Sequence, residues 1–296
     1  MTRSLFLGGA LALGAILPAH AQDWAKEGLL KSPRHGEFVT ITEPSGRKLQ
    51  AWVVYPESKE KAPVVLMIHE IYGLTDWARE MADEVAGAGY IVVEPDLLSG
   101  AGPEHATVPS VKEQSDPHAS MASTGAASVP MLPGGTSAFP DQDAAAKAVA
   151  GLPDAQVVDD LNAAADWGKK LPAASDKLYV AGFCHGGQLS FLFATKRKDL
   201  SAAFVFYGTP PDAEAMKSIT APVYGFYAGN DARVTATVPQ TETEMKAAGK
   251  TFDQVTYEGA GHGFMRAGEA PEANAANSAA RAAGFRRFIS LLGGVH

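Results

Sequence analysis

One residue in this chain has both the chemistry and the setting of a nucleophile. It is Cys184, the only cysteine among 296 residues. It stands in Gly182-Phe183-Cys184-His185-Gly186-Gly187, behind the apolar run Leu178-Tyr179-Val180-Ala181 and ahead of a helix-like stretch at 186–196. A strand that runs into G-x-nucleophile-x-G must turn sharply into a helix. Small flanking residues let the two elements pack closely while the central side chain is presented at the turn. Sulfur at that position predicts acyl transfer from a thiolate. A lone cysteine without such flanks reads as a small buried hydrophobe. With no second cysteine an internal disulfide is excluded, so the choice lies between inert packing and a reactive thiol.

A thiol that attacks an acyl group needs an imidazole to take and return its proton, and the imidazole needs an acid to fix its tautomer. Asp231 lies in Gly229-Asn230-Asp231-Ala232-Arg233 just past the apolar run 223–228, and His262 lies in Gly261-His262-Gly263-Phe264 just past the run 252–257. Each would project from the carboxyl end of a strand, where open α/β sheets place their ligands. Alone, Asp231 reads as a turn or cap residue and His262 as structural; it is the order nucleophile, acid, histidine that joins them into one triad. For the oxyanion, the buried run 64–68 leads into His69-Glu70-Ile71-Tyr72-Gly73, which nominates the amides of Ile71 and His185. The helix after Cys184 is expected to favour the thiolate through its N-terminal dipole.

These residues need a scaffold that sets strand ends side by side. Short apolar runs at 49–55, 64–69, 90–94, 178–183, 202–207, 223–228 and 252–257 alternate with helical stretches at 75–88, 155–170, 186–196 and 238–248, and a last helix spans about 271–292. Such alternation predicts an α/β fold with a mainly parallel sheet covered on both faces. The runs 38–41 and 49–55, joined through Glu43-Pro44-Ser45-Gly46, predict an antiparallel hairpin at one sheet edge. Between 99 and 143 periodicity gives way to Gly, Ser, Pro and Ala. That stretch reads either as a cover over the active-site mouth or as a disordered surface insert. Glu104, His105, Asp116 and His118 within it match no recognised metal-ligand spacing, and no metal or cofactor is expected.

The first residues read as an export leader: Arg3, an apolar stretch at 5–17, then Ala19-His20-Ala21 before Gln22. The apolar stretch is shorter than the roughly 20 residues of a spanning helix and contains Gly and Pro, which weakens the reading as a membrane anchor. The expected organisation is therefore a leader at 1–21 and a single α/β-hydrolase domain at 22–296, periplasmic or secreted, with no membrane span of its own. The formal net charge is −8, and loss of the leader with Arg3 makes it more negative, which argues against nucleic acid as a partner. Nothing in the sequence specifies an oligomeric state.

The motifs His69-Glu70-Ile71-Tyr72-Gly73, Glu94-Pro95-Asp96-Leu97, Gly182 to Gly187, Asn230-Asp231 and Gly261-His262-Gly263-Phe264 resemble those of the dienelactone hydrolase (carboxymethylenebutenolidase) family, over about residues 38–292. The resemblance implies an α/β-hydrolase fold, small ester or lactone substrates and a thioester acyl-enzyme. It also implies that Glu70 contacts the resting thiol and acts as a switch on Cys184, although Glu70 also reads as a simple cap of its turn. Arg266, four residues after His262, matches one of two family arginines that hold the substrate carboxylate. The other has no counterpart in Asp96-Leu97-Leu98-Ser99-Gly100, a departure that points toward neutral or differently shaped esters. Tyr72, Trp77 and Phe264 are further candidates for the pocket wall, the last two equally readable as core, and His69 reads as packing. A different class of function, a redox-active thiol or a non-catalytic ligand-binding member of the same fold, stays open beside the hydrolase.

Overall fold

The computed structural model describes residues 22–102 and 134–294. The expected leader at 1–21 and most of the 99–143 insert, with Glu104, His105, Asp116 and His118, lie outside the described residues. Among the described residues one sheet is built from β1 (Gly36–Thr42), β2 (Lys48–Val54), β3 (Ala62–Ile68), β4 (Ile91–Pro95), β5 (Ala174–Phe183), β6 (Ala202–Phe206), β7 (Val223–Ala228) and β8 (Phe252–Tyr257). The helices are α1 (Asp23–Lys31), α2 (Asp76–Gly87), α3 (Gln142–Ala150), α4 (Asp154–Lys169), α5 (His185–Lys196), α6 (Ala213–Met216), α7 (Ala232–Thr235), α8 (Val238–Ala247), α9 (Phe264–Ala267) and α10 (Ala275–Gly294).

The strands lie in the order β1-β2-β4-β3-β5-β6-β7-β8. The hairpin β1/β2 forms the expected antiparallel edge with Phe38 opposite Trp52, β2 pairs antiparallel with β4, and every later pairing is parallel. From β3 the chain first moves to one side, to β4, and then crosses to the other, to β5. The crevice beyond the carboxyl ends of β3 and β5 is therefore the topological switch point, where this architecture binds ligands.

Burial on both faces explains why the central strands read as continuous apolar runs. Val64, Leu66 and Ile68 of β3 with Leu178 and Val180 of β5 pack with Leu161 and Ala165 of α4 and Leu189 and Phe193 of α5. The alternate residues, Val65, Met67, Tyr179, Ala181 and Phe183, pack with Trp77 and Met81 of α2 and Phe288 of α10. Beneath the elbow, Phe206 stacks at 4.6 Å on Phe183 and 4.2 Å on Phe226, with Phe288 edge-on at 5.4 Å. Each such buried ring contributes about 2–3 kcal/mol by transfer from water. The elbow thus rests on a stiff aromatic floor.

The structure departs from the sequence reading in four places. The irregular stretch ends earlier than 143, because Asp141 caps α3 by accepting from the Ala144 amide at 2.8 Å. The base of the insert is tied shut: Ser99 bridges Gly134, and the Asp96 carboxylate accepts from the Thr136 amide and hydroxyl, both at 2.8 Å, and from the Leu98 amide at 3.0 Å. The last helix starts at Ala275 rather than near Pro271, since Asn274 supplies the cap by accepting from the Asn277 amide at 2.9 Å. Finally α1, and the single turns α6, α7 and α9, were not expected; a one-turn helix is too short to show periodicity.

Candidate active site

Cys184 sits between β5 and α5 with φ 56° and ψ −114°. A non-glycine residue with positive φ costs free energy that neighbouring structure must offset. Here the Cys184 amide donates to the Phe206 carbonyl at 3.0 Å. The flanking glycines are required by close approach: a Cβ on Gly182 would fall 1.9 Å from the Gly186 carbonyl oxygen, and one on Gly186 would fall 2.3 Å from that of Ile68. The elbow anticipated from Gly-x-Cys-x-Gly is thus formed, with the thiol at the switch point.

The structure brings Cys184, His262 and Asp231 into one line. His262 Nε2 lies 3.0 Å from Cys184 Sγ, and His262 Nδ1 lies 2.5 Å from Asp231 Oδ2. Asp231 is buried and its other oxygen, Oδ1, accepts from the Val234 amide at 3.3 Å, so the carboxylate is fixed by the turn it caps. An ionised carboxylate accepts only, which places the ring proton on Nδ1 and leaves Nε2 to accept from the thiol. The His262 ring is a third exposed, so the relay opens to solvent at the imidazole.

The amides of His185 and Ile71 both act on the same sulfur, and both favour its ionised form. They are outweighed. Burial, and after it the negative charge of Glu70, push the Cys184 thiol up to about 11. The amide at the helix N-terminus favours the thiolate in the expected direction, but desolvation and a neighbouring carboxylate outweigh it.

Glu70 is buried and held by two donors. Arg266 Nε donates to Oε2 at 2.7 Å and the Tyr207 hydroxyl donates to Oε1 at 3.2 Å. The thiol's hydrogen-bond partner is His262, while Glu70 acts on the sulfur through its charge. Arg266 lies with its guanidinium carbon 5.3 Å from the centre of the Tyr72 ring, so these two candidate pocket residues form one cation–π pair beside the cleft. Tyr207 was missed by sequence reasoning. It has φ 40°, is fully buried, packs edge-on at 5.1 Å against His262, and its hydroxyl is held protonated by burial and by Glu70. The available signal was its place at the end of β6, next to the elbow strand.

His69 and His185 play no direct part through their rings. His69 is buried, with Nδ1 donating to the Glu70 carbonyl at 2.7 Å and Nε2 accepting from the Leu97 amide at 3.3 Å, which ties the turn carrying Glu70 and Ile71 to the end of β4. Burial holds both imidazoles below the usual histidine range. Trp77 and Phe264 are fully buried and belong to the core.

The profile of the dienelactone hydrolase family matches residues 49–295. The chain belongs to this family. It is similar to carboxymethylenebutenolidase 1 of Cupriavidus pinatubonensis, 28% identical over 258 residues that cover 86% of this chain and 95% of that one. A Salmonella typhi protein described as a candidate carboxymethylenebutenolidase is 27% identical over 242 residues, covering 76% and 77%. Among solved structures, a dienelactone hydrolase-like promiscuous phosphotriesterase from metagenomic libraries superposes with a TM-score of 0.67 at 19% identity, covering 88% of this chain and 98% of that chain, a likeness of fold. As a member of the dienelactone hydrolase family the chain is a hydrolase of the ester and lactone type. Its substrate is accordingly a small molecule, and among the described residues no helix is long and apolar enough to cross a membrane.

At the end of β4, Leu97 and Leu98 are fully buried and the Asp96 carboxylate is held by Thr136.

Proposed function

We propose that the chain is an exported hydrolase of small carboxylic esters or lactones that works through Cys184, His262 and Asp231 and passes through a thioester acyl-enzyme. The observation that carries this reading is the continuous contact from Asp231 through His262 to Cys184, with the amides of Ile71 and His185 converging on the same sulfur.

The chemistry follows from the protonation state. A thiol with a pKa near 11 is neutral at pH 7, so its proton moves to His262 Nε2 as sulfur attacks the carbonyl carbon. The carbonyl oxygen becomes an oxyanion between the Ile71 and His185 amides, each such donor being worth roughly 10²- to 10³-fold in rate. Collapse breaks the carbon–oxygen bond to the alcohol, which leaves with the proton from His262. Water then attacks the thioester, giving its proton to His262, and the departing thiolate takes that proton back. Asp231 holds the tautomer and stabilises the imidazolium formed twice in the cycle. Export rests on the leader-like residues 1–21 and is tested by the N-terminus of protein recovered from a periplasmic fraction.

The redox-thiol reading draws no support from the site. With a pKa near 11, only about 0.01% of the thiol is ionised at pH 7, and the thiolate is the form that oxidises. The deciding experiment is p-nitrophenol release from p-nitrophenyl acetate by residues 22–296, beside Cys184→Ala. An initial burst and steady turnover by the unaltered protein, both absent from the variant, are expected. Equal turnover by the two would remove Cys184 as nucleophile.

A further inference from the structure

We propose that Thr136 is a positioning residue for the oxyanion turn, holding the Leu74 amide through its hydroxyl and so fixing the backbone that presents the Ile71 N–H. The inference deepens the hydrolase reading above and rests on it.

The turn itself is short. The Glu70 carbonyl accepts from the Gly73 amide at 3.1 Å, which sets Ile71 and Tyr72 at its two corners. An oxyanion donor works by being in place before charge develops, so the backbone that carries it must be held on both sides. On the leading side, His69 Nε2 accepts from the Leu97 amide at 3.3 Å. On the trailing side, the Leu74 amide donates to Thr136 Oγ1 at 2.9 Å. Thr136 is in turn fastened to Asp96: its hydroxyl donates to Oδ1 and its amide to Oδ2, both at 2.8 Å. Both tethers therefore end at Asp96 and Leu97, just past β4.

The direction of these bonds is set by chemistry. An ionised carboxylate only accepts, so the Thr136 hydroxyl proton points to Asp96 and the oxygen's lone pairs are left for the Leu74 amide. A bond to a charged acceptor is the stronger kind, and it polarises the hydroxyl as an acceptor. Asp96 is buried, and its own amide donates to the Gln50 carbonyl of β2 at 2.8 Å, so the anchor is the sheet. Two glycines make the close approach possible. A Cβ on Gly73, at φ 83°, would fall 2.3 Å from Thr136 Oγ1, and one on Gly135, at φ 92°, would fall 2.8 Å from Asp96 Oδ2. The Ile71 side chain packs against the small cluster of Leu98, Ala145 and Val149, the last two from α3, the helix that follows Thr136. One returning segment thus supports the turn through a polar tether and through apolar packing.

The plain alternative is that Thr136 only closes the foot of the insert. Thr136→Val keeps the shape and removes the hydroxyl, Thr136→Ala removes it without placing a methyl against the Leu74 amide, and Thr136→Ser retains it. Acylation and deacylation pass through the same oxyanion. With p-nitrophenyl acetate, Thr136→Val and Thr136→Ala are therefore expected to lower kcat about five- to twentyfold while KM changes less than about twofold. Thr136→Ser should keep most of the activity. A second readout needs no turnover: the Ile71 amide favours the ionised sulfur, so a loosened turn should displace iodoacetamide labelling of Cys184 to higher pH. The displacement expected is about half a pH unit in the two variants without the hydroxyl and none in Thr136→Ser. A lower melting temperature with kcat and the labelling profile unmoved would make Thr136 a structural residue and overturn the assignment. Equal losses in all three variants would overturn it too. No hydrolysis by the unaltered protein, or hydrolysis retained by Cys184→Ala, would overturn the hydrolase reading, and the labelling profile alone would then decide for or against Thr136.

Discussion

The raised thiol pKa yields a sharp test through Glu70→Gln. The Cys184 thiol stands at about 11 against an ordinary 9.0, with burial the first cause and the Glu70 charge the second. The substitution leaves burial unchanged, removes the charge, and frees the guanidinium of Arg266 that Glu70 now holds at 2.7 Å. Losing an anion and gaining an uncancelled cation should bring the thiol down by roughly one pKa unit, a tenfold gain in thiolate. At pH 8 the ionised fraction would rise from about 0.1% to about 1%. A less basic thiolate is also a weaker nucleophile, with a Brønsted slope of about 0.4–0.5, so the net alkylation rate should rise about threefold. Iodoacetamide labelling across pH, read by intact mass, measures this cleanly because the sequence holds one cysteine. The variant's profile should be displaced to lower pH. An unmoved profile would refute the claim that Glu70 raises the thiol. An inflection below pH 7 in the unaltered protein would show a resting thiolate–imidazolium pair instead of a neutral thiol.

Two further outcomes follow from the same geometry. Asp231→Asn keeps an oxygen for the Val234 amide but removes the acceptor that sets the His262 tautomer, so ester turnover should fall by about 10²- to 10⁴-fold with the melting temperature nearly unchanged; a loss under twofold would contradict the relay. Glu94 is fully buried on β4, both its oxygens lack partners, and burial lifts its pKa to about 8 despite the charge of Arg79. The folded state thus keeps a proton that the unfolded chain releases near 4.5. This contribution is full below pH 4.5 and is lost as pH rises through 8. Glu94→Gln cannot ionise, so it should flatten that decline and remove a penalty of about 3 kcal/mol at pH 7, read by denaturant unfolding at pH 5, 7 and 8.5. Parallel pH profiles for the two proteins would refute it.

How much of this site could be read from the sequence depends on whether each contact is local or made across the fold. The elbow was legible because its constraint is local: Gly182 and Gly186 face backbone at 1.9 and 2.3 Å, and only glycine fits. Asp231 and His262 were legible because both follow apolar runs at strand ends, a position that the α/β architecture converts into proximity. The alignment that sets His262 3.0 Å from the thiol and Asp231 2.5 Å from His262 is the work of β5, β6, β7 and β8 held in register. The tuning of the thiol was not legible. It turns on a competition between the nearby amides of Ile71 and His185 and a network joining Glu70, Tyr207 and Arg266, residues separated by 137 and 196 positions in the chain. Spacing cannot say whether an arginine four residues past the histidine faces substrate or a buried carboxylate. Here Arg266 is held by the buried carboxylate of Glu70 at 2.7 Å and lies over the Tyr72 ring, a contact that only the fold brings about.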